Sequence, residues 1–150
     1  MIMTERLQQM RDVFAAFIDS TQKMTAATIK YNDVFAPKLT DLTLIPKLYD
    51  WYCECADSNK FTADVNSRKK QFVFVVLILF SPPSIFGGKI RKSLRNALAF
   101  TFGITDGTAI YKMRDKAIAW QSTYKVFASE TDKAYGHILS RLIEAGIIEA

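Results

Sequence analysis

The chain has 150 residues, of which 49% are hydrophobic and 23% are charged; this balance predicts one folded domain and excludes a largely disordered protein. The net charge of +5 is unevenly distributed. Residues 68–116 hold ten Lys or Arg and two Asp, a local charge of +8, whereas the rest of the chain sums to −3. A basic segment of this kind is typical of domains that bind nucleic acid.

The amino-terminal residues and the cysteines together predict a cytoplasmic protein. The first residues lack the charged start, apolar stretch and small-residue cleavage site of a secretory signal. Cys53 and Cys55 stand one residue apart with no second pair and no His nearby, so we interpret them as reduced thiols on a helix, one buried and one not, and expect no metal site. The apolar run 72–80 is too short to cross a membrane, and no membrane partner is expected.

Apolar residues spaced three and four positions apart predict one long amino-terminal helix, which Pro37 ends. The flanking positions do not carry opposite charges, so a helix packed inside a bundle is favoured over a zipper that pairs with itself. A connector at 39–45 and a second helix at 46–56 complete a helical amino-terminal part, residues 1–60. The stripe of the first helix consists of Leu7, Met10, Phe14, Phe17, Thr21, Met24, Thr28, Tyr31 and Phe35.

The run from Arg68 to Phe80 fits either a buried helix or a buried strand, because its β-branched and aromatic residues suit both. We favour a helix, since no second strand candidate is present to pair with a lone strand. Pro82 and Pro83 end this segment, and Gly87-Gly88 forms a joint before the next helix.

Three further helical segments are predicted beyond the joint. The first covers residues 90–102, and the second follows the turn at Gly103 with a pattern that continues to Phe127. A final helix begins at Ser129, which has Asp132 three residues later as in a capping box, and Gly146 ends it. The predicted fold is therefore a single all-α domain, residues 1–150, a bundle of five to six helices with a central unit at 68–122 and a carboxy-terminal helix at 129–146.

The central unit contains the residue pattern of a helix-turn-helix. Such a motif needs a small residue where its helices cross, a Gly in the turn and an apolar plug after it, and Ala99, Gly103 and Ile104 have the required spacing. The first helix is expected to pack on the 68–80 helix, with Thr105 or Asp106 capping the second. The chain here resembles the helix-turn-helix superfamily, in particular tri-helical domains of the Trp-repressor and DnaA carboxy-terminal type. Residues 82–127 also resemble small uncharacterised proteins of phages and mobile elements from gut anaerobes.

The second helix departs from the standard motif by one position. A strict count from Gly103 would bury Ala109 and Lys112, whereas the apolar residues are Ile110 and Met113. The turn must then be one residue longer, and the exposed face shows Thr108, Ala109, Tyr111, Lys112, Asp115 and Lys116.

The resemblance implies specific roles in DNA binding. Thr108 and Lys112 are candidates for base edges, and Arg114 suits either a base or a phosphate. Thr105 and Lys116 complete the predicted DNA-binding set. Phosphate contacts are expected from the helix before the turn, through Lys89, Arg91, Lys92 and Arg95.

The sequence argues against an enzyme. His137 is the one histidine and has no Ser, Cys or carboxylate arranged beside it. Gly87-Gly88-Lys89-Ile90 lacks both the upstream Gly and the Ser or Thr of a phosphate loop. No cofactor and no small-molecule ligand are therefore expected.

These observations predict a dimeric helix-turn-helix protein that binds duplex DNA, a transcriptional regulator or accessory factor of a phage or mobile element. The alternative is a helical protein-interaction module whose basic face has no nucleic-acid role. In that case the basic face binds an acidic partner, or the heptad helices assemble with another chain. A purely structural explanation is also open, in which the charged faces are solvated and Gly103 is simply the cap of one helix.

Overall fold

The computed structural model describes residues 2–19 and 35–149. In these ranges the chain forms six α-helices and no strand, so the all-α prediction is confirmed there. The part of the predicted amino-terminal stripe from Thr21 to Tyr31 lies outside the described residues. The helices are α1 (Ile2–Asp19), α2 (Ile45–Ser58), α3 (Val65–Phe80), α4 (Lys92–Phe102), α5 (Ala109–Thr123) and α6 (Lys125–Glu144).

Local capping explains where several helices begin and end. Asp64 caps α3, its carboxylate accepting from the Ser67 amide at 2.8 Å. Two short 3₁₀ turns, Leu42–Leu44 and Pro82–Phe86, precede α2 and follow α3. At the end of α6, Gly146 has φ +72° and the Ile147 amide bonds back to the Leu142 carbonyl, the pattern of a glycine-terminated helix.

The core is built around α3, in which every residue from Gln71 to Phe80 is buried. Its most extensive neighbours are α5 and α6. Helix α2 lies against α6 and α4, while α1 contacts α6. The buried Gln71 side chain accepts from the Tyr52 hydroxyl and donates to Glu130 at 3.1 Å, so its polar atoms are satisfied inside the core.

The final helix begins earlier than the sequence indicates. The chain bends at Tyr124, where φ is −113° and ψ is 109°, and α6 starts at Lys125 rather than at Ser129. The hydroxyls of Ser122 and Thr123 both donate to the Ala119 carbonyl, at 3.1 and 2.8 Å, and such side-chain bonds compete with the helix ladder. The continuous pattern from Ile110 to Phe127 therefore belongs to two helices.

The two thiols differ in burial. Cys55 is buried and Cys53 is half-buried, and both are free. Burial raises the pKa of each thiol, which keeps them protonated and weakly nucleophilic.

Candidate nucleic-acid interface

The predicted DNA-binding cations lie on α4, on α5 and on the joint before α4. Six of them are exposed or half-buried, and none of the six forms an ion pair within the described residues. We call this set the basic face. Its members are Lys89, Arg91, Lys92, Lys112 and Lys116, which are exposed, and Arg95, which is half-buried.

Tyr111 holds two parts of the basic face together. Its hydroxyl accepts from the Ile90 amide at 3.1 Å, which ties the chain just before Arg91 to helix α5. The Arg95 guanidinium lies 5.2 Å from the centroid of the Tyr111 ring and donates to the Ile90 carbonyl at 3.1 Å. Cation–π contacts of this kind restrict the guanidinium, so Arg95 is positioned before any partner arrives.

Arg114, predicted to contact DNA, is instead placed inside the protein. It is 7% exposed, and its Nη1 donates to the carbonyls of Ser84 and Gly88, at 3.2 and 2.8 Å. Its Nε donates to the exposed carboxylate of Asp115 at 3.0 Å. These bonds fasten α5 to the Pro82–Phe86 turn and to the glycine joint, and they leave Arg114 little freedom to reach an external partner.

A shallow groove of about 410 Å³ lies beside α5. In it Lys70 lies together with Lys112 and Lys116 of the basic face and with Asp115. Burial, followed by repulsion from Lys116, lowers the pKa of Lys70. The Lys70 ammonium also lies 5.0 Å from the centroid of the Trp120 ring. Sequence reasoning did not name Lys70 as a site residue, although it belongs to the same basic segment.

The turn between α4 and α5 is longer than predicted. Gly103 ends α4 with φ +69°, as expected of the turn glycine. The six residues 103–108 then separate the two helices, whereas a helix-turn-helix has a turn of about 3–4 residues. Thr105 and Thr108 are exposed in this turn. Ile110 is buried and Lys112 exposed, as the shifted register predicts, but Met113 and Tyr111 are both half-buried and Arg114 takes the buried position after Ile110.

Asp106 organises the start of α5. Its carboxylate accepts from the Thr108 hydroxyl at 2.6 Å and from the Thr108 amide at 2.9 Å. These bonds, the hydroxyl first, lower the pKa of Asp106. The Thr108 hydroxyl therefore donates within the protein and keeps only its acceptor capacity for a base, while the Lys112 ammonium is exposed.

Helix α4 packs differently from the expected tri-helical unit. Leu94 and Leu98 are fully buried, but the main neighbours of α4 are α2, the Leu42–Leu44 turn and α5. Contact with α3 is made by Phe102, whose ring centroid is 6.0 Å from that of Phe72. The contact with the 68–80 helix that the sequence predicts is therefore present through Phe102, but α2 and the Leu42–Leu44 turn are more extensive neighbours of α4.

The described residues contain no cluster of His, Cys, Asp and Glu that would hold a metal ion. Among the same residues no helix has both the length and the apolar character needed to span a bilayer. Comparison with protein-family models, with curated proteins and with solved structures finds no significant match for this chain.

Proposed function

We propose that this protein binds duplex DNA through the basic face, acting in the cytoplasm as a dimeric regulator or accessory factor of a phage or mobile element. The observation that carries the proposal is the set of unpaired cations on α4, α5 and the preceding joint. Each phosphate that such a cation neutralises releases condensed counterions, which is the main source of affinity for DNA.

The contacts around Tyr111 support a division of roles. Arg91 and Arg95 lie at the start of α4, where Tyr111 ties the backbone to α5, and they are suited to phosphate oxygens. Lys112 follows Tyr111 directly on the exposed side of α5 and is suited to a base edge. Arg114 takes no part, because its donors serve carbonyls within the protein.

The test is fluorescence anisotropy with a mixed-sequence duplex at several salt concentrations. The native chain is compared with the triple variant Lys89→Ala/Arg91→Ala/Lys112→Ala. We expect the native affinity to fall with a slope of about −0.9 per phosphate neutralised on logarithmic axes, and the variant slope to be shallower by about 2 to 3.

A matched control removes three exposed cations away from the basic face, Arg11→Ala/Lys125→Ala/Lys133→Ala. This control has the same net charge as the test variant. Because its basic face is intact, it should retain most of the affinity for DNA. Equal losses in both variants would mean that affinity depends on net charge and not on this face. No binding by the folded native chain at low salt would exclude the proposal.

A second candidate is a protein-interaction module, favoured by apolar side chains that remain at the surface. Phe100 on α4 is 79% exposed, and Tyr124 and Val126 at the α5–α6 bend are 55% and 58% exposed. Exposed groups of this size are frequent at protein interfaces. If Phe100→Ser and Tyr124→Ser abolish the activity of the protein in the cell while the Lys89→Ala/Arg91→Ala/Lys112→Ala variant keeps it, protein interaction replaces DNA binding as the proposed function.

A further inference from the structure

An aromatic pocket lies at the α5–α6 bend, one helical turn beyond Lys116 of the basic face. It has a volume of about 340 Å³, and we call it the Trp120 pocket. Its lining includes three aromatic side chains together with an aliphatic one and a carboxylate: Trp120, Tyr124, Phe127, Val126 and Glu130.

The three rings stand at steep angles to one another, and the pocket is open to solvent. The ring planes of Trp120 and Tyr124 enclose 77°, with centroids 6.0 Å apart, and those of Trp120 and Phe127 enclose 90°, with centroids 5.5 Å apart. Tyr124 and Val126 are exposed, Trp120 is half-buried and Phe127 is buried. A flat guest can therefore lie against the exposed Tyr124 ring and the accessible part of Trp120.

Cations and aromatic rings follow one another along one row of α5. Lys112, Lys116 and Trp120 are spaced four residues apart, which makes them neighbours on the helix surface, about 6 Å apart along its axis. Tyr124 continues this spacing at the end of the helix. The row leads from the basic face into the Trp120 pocket.

Lys70 on α3 joins the basic groove to the pocket. It lines the groove with Lys112 and Lys116, and its ammonium lies 5.0 Å from the centroid of the Trp120 ring. A phosphate bound by Lys70 and Lys116 therefore lies beside the aromatic rings. The Lys70 ammonium also repels a cationic guest, so the pocket favours an uncharged aromatic group attached to an anion.

The acidic side chains that line the pocket and the groove are engaged within the protein. Glu130 accepts from the Thr62 amide at 2.6 Å and from the Gln71 side chain at 3.1 Å. Asp115 accepts from the buried Arg114 guanidinium at 3.0 Å. Because these carboxylates already have donors, they compete little for the lysines of the groove.

We infer that the Trp120 pocket binds an unpaired nucleobase of a DNA whose duplex part lies on the basic face. The base stacks on Tyr124 and on the accessible part of Trp120, while Lys70 and Lys116 bind the adjoining phosphate, the combination found in proteins that bind single strands. The inference rests on the proposed DNA binding and narrows the substrate to DNA in which a single-stranded extension adjoins a duplex.

Fluorescence anisotropy with three forms of one duplex tests the pocket. The first form is blunt, and the second carries an extension of about four thymidines at one end. The third carries an abasic extension of the same length, which has the same phosphates but no bases. We expect the thymidine extension to be bound about tenfold more tightly than the abasic one, since stacking is worth about 1–3 kcal/mol per base. Extensions at the 3′ and 5′ ends are compared separately, and tighter binding of either one meets the expectation.

The Tyr124 ring is the first target for substitution because it is exposed. Tyr124→Ala should weaken binding of the thymidine extension by about tenfold and leave the blunt and abasic forms unchanged. Tyr124→Phe keeps the ring and should bind all three forms like the native chain. The matched control is Phe100→Ala, which removes an exposed ring from α4 outside the pocket and the groove and should also bind like the native chain.

Two further measurements report the base and the phosphate separately. 2-Aminopurine placed in the extension loses fluorescence when it stacks on an aromatic ring, and we expect this quenching with the native chain and Tyr124→Phe but much less with Tyr124→Ala. Lys70→Gln should make the salt dependence shallower by about 0.7 for the extended duplex, the value for one phosphate of a single strand, and leave that of the blunt duplex unchanged.

The outcomes separate this inference from the proposed function. Equal affinity for the thymidine and abasic extensions, with the blunt duplex bound, overturns the inference and leaves duplex binding intact. No binding of any form overturns both. Binding of the extended form that depends on Tyr124, without binding of the blunt duplex, supports the pocket and rejects duplex binding by the basic face. Binding of tetramethylammonium with the same dependence on Tyr124, and no preference for bases, would replace the nucleobase by a cation.

Discussion

Helices α3 and α5 pack against each other, yet they use their surfaces in opposite ways. From Gln71 to Phe80, α3 is buried on all sides. Helix α5 buries Ile110, Arg114 and Ala117 but keeps Lys112 and Lys116 in solvent. Stability is therefore concentrated in α3, because burial of apolar area is the main favourable term in folding, whereas α5 keeps charged side chains at the surface.

The comparison shows that hydrophobic patterning carries different information in the two helices. A helix that is apolar all round has no preferred side, so its sequence indicates only that it lies at the centre. An amphipathic helix specifies which side faces the core. Changes in α3 should accordingly affect folding first, and changes on the exposed side of α5 should affect binding first.

The largest expected effect is the loss of a side chain from the centre of α3. Leu77 is fully buried, so Leu77→Ala should lower the free energy of unfolding by about 2–5 kcal/mol through lost burial and a cavity. Lys112→Ala should change it by less than about 0.5 kcal/mol, because the side chain is exposed. Urea denaturation measures both changes in unfolding free energy. Similar values for the two variants would contradict the view that stability is concentrated in α3.

A smaller effect is expected at the one buried cation of α5. Arg114→Gln removes donors from the Ser84 and Gly88 carbonyls, and we expect a loss of about 2 kcal/mol in unfolding free energy. Lys112→Gln on the exposed side of the same helix is the control. At a temperature where Arg114→Gln is folded, the salt dependence of its DNA binding should match that of the native chain, because a buried cation neutralises no phosphate; a slope shallower by about 0.9 would return Arg114 to the interface.

The smallest expected effect on stability comes from the carboxylates that precede α3 and α5, Asp64 and Asp106. Hydrogen bonds from Ser67 and from Thr108 lower the pKa values of Asp64 and Asp106 below the ordinary 3.8. Groups with a depressed folded-state pKa contribute stability above the unfolded pKa, and this contribution is lost as pH falls through the folded value. The native chain should therefore lose more thermal stability between about pH 5 and about pH 3 than Asp64→Asn/Asp106→Asn.

Asparagine retains the capping oxygen but does not titrate in this range. A difference between the two proteins over this pH interval thus reports the two carboxylates and not acid unfolding in general. Equal losses of stability would show that neither carboxylate contributes through its charge.

Most helix positions were accessible from the sequence because local signals determine them. Pro46 lies in the first turn of α2, Pro82 follows α3, and Gly103 ends α4 in the left-handed conformation that its residue type favours. The α5–α6 bend was missed because its local signal, two hydroxyls that bond to the Ala119 carbonyl, is ambiguous. Ser and Thr near the end of an apolar pattern are equally compatible with a continuing helix.

The site was predicted less completely, because its geometry depends on long-range contacts. Lys89, Arg91, Lys92 and Lys112 are exposed as their charge suggests. Arg114 was misplaced because its acceptors, carbonyls 26 and 30 residues earlier in the chain, have no sequence signature.

The hydrogen bond from the Met3 amide to the Asp132 carboxylate, 3.1 Å long, joins residues 129 positions apart. During synthesis at about 5–20 residues per second, roughly 6 to 26 s pass between the emergence of these two groups. Helix α1 is thus made well before α6, its main packing surface. A chain stalled before α6 is complete lacks that surface, so the side of α1 that α6 covers is exposed to aggregation throughout the interval.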